Sequence, residues 1–183
     1  SLFPRIGLED PERGIMTQLS TNNLTVKGNF GPILQGISAT FGPGELVGLI
    51  GPNGSGKTTL LRSLLGLLEP TGGDITLDGR ALRSWSRTDI ANRLGYLAQG
   101  APCHWPMTVE RIVELGRMPH KKSWLTSDAE SQKIIENALR LTRISHLRHR
   151  VVTSLSGGER TLVMIARCLV GRAGILLADE PVT

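Results

Sequence analysis

The segment Gly51-Pro52-Asn53-Gly54-Ser55-Gly56-Lys57-Thr58 fits the pattern G-x-x-x-x-G-K-[ST] at every fixed position. Its flanks fit too. Leu46-Val47-Gly48-Leu49-Ile50 is a short apolar run that predicts a buried strand, and Thr59-Leu60-Leu61-Arg62-Ser63-Leu64-Leu65 carries apolar residues at helical spacing. Strand, glycine loop and helix in this order are what a phosphate-binding loop needs. Glycines let the backbone curl so that successive N–H groups converge on phosphate oxygens, and the loop ends at a helix N-terminus, where unpaired N–H groups and the helix dipole favour an anion. In such a loop Lys57 reaches the β- and γ-phosphates and the Thr58 hydroxyl reaches Mg²⁺. The residues therefore predict a nucleoside triphosphate site in an α/β fold.

The 183 residues suffice for one domain with a real core, or one domain with a small insertion. Hydrophobic content of 39% and charged content of 20% suit a folded, water-soluble chain. The longest apolar candidate for a membrane span, Leu162 to Ala178, is broken by Arg167 and Arg172. A net charge of +5 and a pI near 9.8 fit either an acidic partner or a mildly basic surface. Scattered Lys and Arg favour the second, and no nucleic-acid partner is expected. Cys103 and Cys168 lie far apart without metal-ligand spacing, which excludes a disulfide framework and a zinc site and agrees with a reducing compartment. Residues 1–18 read as a disordered N-terminal extension without the apolar core of a signal peptide.

Along the chain, Asn23 to Val26 and Ile33 to Phe41 predict short strands joined by the turn-rich Gly28-Asn29-Phe30-Gly31-Pro32, an antiparallel layer beside the nucleotide site. Glu69 to Gly73 stops the loop helix, and Asp74 to Leu77 with Asp78-Gly79-Arg80 reads as a strand and turn. Arg87 to Asn92 predicts a short helix and Leu94 to Ala98 a buried strand, with Gln99 at its carboxyl end, where ligands gather in open α/β sheets. Residues 100 to about 160 predict helices: Thr108 to Leu115, then a helix opened by the capping box Ser127-Asp128-Ala129-Glu130. His104, His120, His146 and His149 stand at no ligand spacing and read as solvent-facing or capping groups.

Leu155-Ser156-Gly157-Gly158-Glu159 contains a second capping box, Ser156 with Glu159. It is an ordinary helix start or, with two glycines, an anion-binding one. Ile175-Leu176-Leu177-Ala178-Asp179-Glu180 predicts a strand ending in two acids, of which one can support Mg²⁺ and the other polarise an attacking water.

With these segments in hand the sequence resembles the ATP-binding cassette (ABC) family, the nucleotide-binding subunits of ABC transporters. Four motifs stand in family order: the Walker A loop Gly51 to Thr58, the Q-loop at Gln99, the signature Leu155 to Glu159, and the Walker B strand Ile175 to Glu180. The resemblance implies a P-loop NTPase core sheet with an antiparallel β subdomain and a helical insertion, covering residues 19–183. It also implies ATP and Mg²⁺ as ligands, with Gly51, Pro52, Asn53, Gly54, Ser55, Gly56, Lys57, Thr58 and Thr59 holding the nucleotide. Leu155, Ser156, Gly157, Gly158 and Glu159 would close on it from a second, head-to-tail ATPase subunit. Thr58, Gln99 and Asp179 would serve the metal, and Glu180 would be the catalytic carboxylate.

Pro106 to Val109 and Val113 to His120 look like importer cassettes for iron-siderophore, haem and cobalamin uptake. That implies transmembrane permease subunits and a substrate-binding protein as partners, and a cytoplasmic location on the inner face of the cell membrane. The alternatives are a non-transport ABC ATPase and a truncated cassette without hydrolytic activity.

Three departures from the family pattern stand out. Gly28 occupies the place of an aromatic residue that stacks on adenine, with Phe30 nearby. Thr161 and Leu162 replace polar or basic side chains after the signature. The third is the expectation that the domain is C-terminally truncated: Thr183 stands three residues past Glu180, so the D-loop, the switch histidine and a strand that the family places between the Walker A and Walker B strands are expected to be missing. Both neighbouring strands would then lack ladder partners.

Overall fold

The computed structural model describes residues 17–98, 106–120 and 129–179. The chain opens with an antiparallel layer: β1 (Leu19–Gly28), β2 (Gly31–Phe41), β3 (Gly72–Leu77) and the two-residue β4 (Arg80–Ala81), in the spatial order β2-β1-β3-β4. The β1–β2 pair is the hairpin read from the sequence, longer at both ends. Leu19, Thr21, Leu24 and Val26 of β1 face the core, and the alternation slips at Asn22-Asn23, where the ladder to β2 shifts register and Asn23 turns to φ 48°. Thr17 is buried, and Gln18 and Asp78 exchange hydrogen bonds: Asp78 N–H donates to Gln18 O, and Gln18 N–H to Asp78 Oδ1. Thr17 and Gln18, inside the segment read as an extension, are therefore part of the packed structure.

Helix α1 (Lys57–Leu64) follows the glycine loop and packs Leu60, Leu61 and Leu64 inward. It ends at Leu65, and Gly66 in a left-handed turn closes it, well before Glu69 to Gly73. Helix α2 (Arg87–Arg93) is capped by the Ser86 hydroxyl and runs straight into β5 (Leu94–Leu97). Next come α3 (Val109–Glu114), capped by Thr108, a 3₁₀ segment Leu115–His120, α4 (Ala129–Leu141) and α5 (Gly157–Val170). The capping box read at Ser127 and Asp128 lies outside the described residues. Strand β6 (Ile175–Ala178) pairs with β5 in parallel, Leu94 opposite Ile175 through Leu97 opposite Ala178.

Two hydrophobic clusters fill the molecule. One joins the antiparallel layer to α1, and the other joins α3, α4 and α5. Strand β5 feeds both, with Leu94 in the first and Leu97 in the second. Arg148 ties the helical cluster from outside through Glu110 of α3 and Gln132 of α4. The ion pair with Glu110 raises the Arg148 pKa against the opposing effect of burial.

The buried strand expected at Leu46-Ile50 does not form. The segment has no ladder partner among the described residues, and Leu46 and Ile50 are 102% and 95% exposed. An extended run of apolar residues becomes a strand only when neighbouring strands take its N–H and C=O groups. Strand β6 has β5 on one edge and no partner on the other among the described residues.

Candidate nucleotide site

The glycine loop is built as the sequence demands. Gly54 and Gly56 adopt φ 81° and 93°, and a Cβ on Gly56 would lie 2.8 Å from Leu34 Cδ2 and 3.2 Å from the Ile33 carbonyl. The close approach of β2 to the loop therefore leaves room for glycine alone. Gly56 is also the N-cap of α1, and it offers no side-chain oxygen to the first turn. Helices α2, α3 and α5 each close their first turn with a Ser or Thr hydroxyl, whereas α1 leaves its N–H groups for an external acceptor. The Lys57 ammonium folds back over the loop and donates to the carbonyls of Gly51 at 2.8 Å and Pro52 at 2.9 Å. The adjoining pocket is lined by Leu34, Ile37, Pro52, Ser55, Lys57 and Leu60, a cationic cradle with apolar walls.

At the aromatic position that Gly28 replaces, the space is taken by Ile33, whose Cδ1 lies 2.8 Å from where a Gly28 Cβ would sit. Phe30 points into solvent at the hairpin tip, 106% exposed.

Asp179 stands at the end of β6 and is 4% exposed, its backbone N–H donating to Leu97 O at 2.9 Å. Among the described residues its carboxylate has one donor, the Tyr96 hydroxyl, 3.5 Å from Oδ2. A buried carboxylate so lightly partnered among the described residues fits a cation site. Thr58, the other described residue expected to serve the metal, lies in the first turn of α1.

Ser156 caps α5 with both halves of the predicted box: Glu159 N–H donates to Ser156 Oγ, and Ser156 N–H donates to Glu159 Oε2 at 2.8 Å. These bonds hold the Glu159 carboxyl below the usual glutamate range, the backbone donor contributing most. Leu155 is a core residue, while Gly157 and Gly158 face open space with nothing near a would-be Cβ.

Gln99 and Glu180 lie outside the described residues. Among the described residues no hydrogen bond or ion pair joins the glycine loop to Asp179 or to the Ser156 segment. Sequence reading missed Tyr96 as the partner of Asp179, because 83 residues separate them. It also missed Arg117 and His120, which close the C-terminus of α5 through the carbonyls of Val170 and Gly171. The signal for these was present, since two basic side chains follow Gly116 within four residues, but their target is remote in sequence.

The family model described as ABC transporter matches residues 34–183. The chain is 41% identical over 150 residues to the petrobactin import ATP-binding protein FpuC of Bacillus anthracis, an alignment covering 82% of this chain and 55% of FpuC. It is 40% identical to the hemin import ATP-binding protein HmuV of Pseudomonas fluorescens, covering 89% of this chain and 64% of that protein. Against the ferric enterobactin transport ATP-binding protein FepC of Escherichia coli the identity is 36%, with 82% and 56% covered. The chain thus spans 55% to 64% of the length of these relatives. Among solved structures it is similar to the ADP conformation of an ATP-binding cassette of an ABC transporter, with a TM-score of 0.79, 26% identity, and 92% of this chain and 70% of that chain covered. A nucleotide-free ATP-binding cassette from an ABC transporter superposes with a TM-score of 0.77 at 25% identity over 92% of this chain and 70% of that chain.

Proposed function

This chain belongs to the ABC transporter family, and we propose that it binds ATP at its glycine loop and hydrolyses it to energise uptake of a metal chelate such as a ferric siderophore or haem. The observation that carries the reading is the N-terminus of α1, left without a side-chain cap beside Lys57 and two left-handed glycines. The substrate class comes from the relatives, which are ATP-binding proteins for import of petrobactin, hemin and ferric enterobactin.

In this reading the loop N–H groups from Gly54 to Thr59 bind the phosphates, and Lys57 exchanges the Gly51 and Pro52 carbonyls for the β- and γ-phosphates. Asp179, Thr58 and Gln99 would serve Mg²⁺. Mg²⁺ held by these residues would supply positive charge to the phosphates. Glu180 takes a proton from the attacking water. A second copy supplies Ser156 to Glu159 across a head-to-tail dimer. Support for that interface lies in Gly157 and Gly158: each costs up to about 1 kcal/mol against alanine in a helix, and nothing among the described residues lies within 4 Å of a Cβ placed there.

Permease subunits and a substrate-binding protein complete the assembly, with this subunit peripheral on the cytoplasmic face of the membrane. No helix among the described residues is long and apolar enough to cross a membrane. Residues 19–183 form part of an ABC ATPase domain, with its helical subdomain at about residues 100–160.

The test is ATP binding and turnover by this chain beside Lys57→Ala and Glu180→Gln. Lys57→Ala is expected to weaken binding about ten- to a hundredfold or more, and Glu180→Gln to retain binding and lose turnover. A folded chain that binds no ATP overturns the reading.

A further inference from the structure

Asp179 is a nearly buried carboxylate whose backbone is fixed and whose side chain is lightly held. Its N–H is tied to Leu97 O at 2.9 Å, while its two carboxylate oxygens share one hydrogen-bond donor among the described residues, the Tyr96 hydroxyl at 3.5 Å from Oδ2. Such a carboxylate can turn about its own side-chain bonds, and a cation site in which the ligand turns is a weak one.

Tyr96 itself is held from three sides. It lies opposite Leu177 in the parallel ladder, its ring packs on the sheet-side core, and its carbonyl accepts from Cys168 Sγ of α5 at 3.5 Å. The phenol oxygen therefore has a fixed place beside Asp179 Oδ2. An ionised carboxylate cannot donate, so the proton in this contact is the tyrosine's. At 3.5 Å the contact is longer than an ordinary O–H to O bond, so it biases the carboxylate's orientation without neutralising its charge, and closes further when the site fills.

We propose that Tyr96 is the positioning residue for Asp179, engaging Oδ2 so that Oδ1, which has no hydrogen-bond partner among the described residues, is presented to the divalent cation. The proposal rests on the reading of Asp179 as a cation-holding carboxylate. It adds the outer partner that fixes a ligating carboxylate, whose removal elsewhere weakens metal binding by about 10–100-fold.

The test compares ATP affinity with Mn²⁺ and with EDTA for the full chain and its Tyr96→Phe, Asp179→Asn and Lys57→Ala variants. Phenylalanine keeps the ring packing and removes only the donor. Tyr96→Phe is expected to leave the affinity in EDTA unchanged and to reduce the Mn²⁺ enhancement about tenfold, with a broadened electron paramagnetic resonance spectrum of bound Mn²⁺. Asp179→Asn should remove the enhancement, and Lys57→Ala should weaken binding in both conditions. An enhancement unchanged in Tyr96→Phe but lost in Asp179→Asn overturns the positioning role alone. Equal weakening of Tyr96→Phe in Mn²⁺ and EDTA assigns Tyr96 to packing and also overturns it. If Asp179→Asn keeps the enhancement, or the unaltered chain shows none, the cation reading of Asp179 fails and this proposal fails with it.

Discussion

Lys57 and Glu159 are two charged residues whose present partners forecast how they respond to change. Lys57 donates to two carbonyls of its own loop, so an incoming phosphate replaces neutral acceptors with charged ones. Hydrogen bonds to charged groups are worth about 1.5–3 kcal/mol, so Lys57→Ala is expected to weaken ATP by about ten- to a hundredfold or more, read by calorimetric titration. Glu159 accepts from the Ser156 backbone and hydroxyl, which holds its pKa below that of an unfolded glutamate. A lowered native pKa means that the capping contribution is complete above the unfolded glutamate value and disappears as pH falls through the folded one. Carboxyl-detected NMR should place the Glu159 midpoint below that of ordinary glutamates, and Ser156→Ala should move it upward.

At the scale of elements, α5 is gripped at both ends. Ser156 caps its start, and the segment Leu115–His120 closes its end, with Gly116 pressed on the Arg167 carbonyl. A Cβ on Gly116 would stand 2.0 Å from that oxygen and 2.6 Å from Val170 Cγ2. Backbone cannot yield as a side-chain tip can, so Gly116→Ala should cost about 1–3 kcal/mol or more and lower the thermal midpoint. Gly158→Ala is the converse case. Its Cβ meets nothing in the chain, and alanine is the better helix former by up to about 1 kcal/mol, so stability should hold or rise. If a second subunit closes on this helix start, the same variant loses turnover. Chemical denaturation and ATPase assays on the two glycine variants separate a contact inside the chain from one outside it.

Across the molecule, β5 contributes to both hydrophobic clusters, and Leu46 and Ile50, in the segment leading into the glycine loop, belong to neither. Leu46 and Ile50 are almost entirely solvent-facing, and Leu176 of β6 is 46% exposed. Exposed aliphatics next to an unpaired strand edge favour association with other chains. The 183-residue chain is expected to bind a hydrophobic dye such as ANS and to self-associate in analytical ultracentrifugation, and Leu46→Ser with Ile50→Ser should reduce both. A monomer that excludes the dye would contradict this account of the surface.

What the sequence determined by itself is the local part. Glycine spacing set the phosphate loop, Ser156 and Glu159 set the start of α5, and apolar periodicity placed α1 and α4 and the hairpin of β1 and β2, because each of these depends on neighbours within a few residues. The tertiary structure decided whatever needs a distant partner. Leu46 to Ile50 has the composition of a buried strand, yet a strand exists only where another strand meets it, and none does among the described residues. Tyr96 reached Asp179 through the β5–β6 register, and Gly116 is required by a carbonyl 51 positions away in sequence. Those contacts are fixed by how segments stack, and no local pattern encodes that.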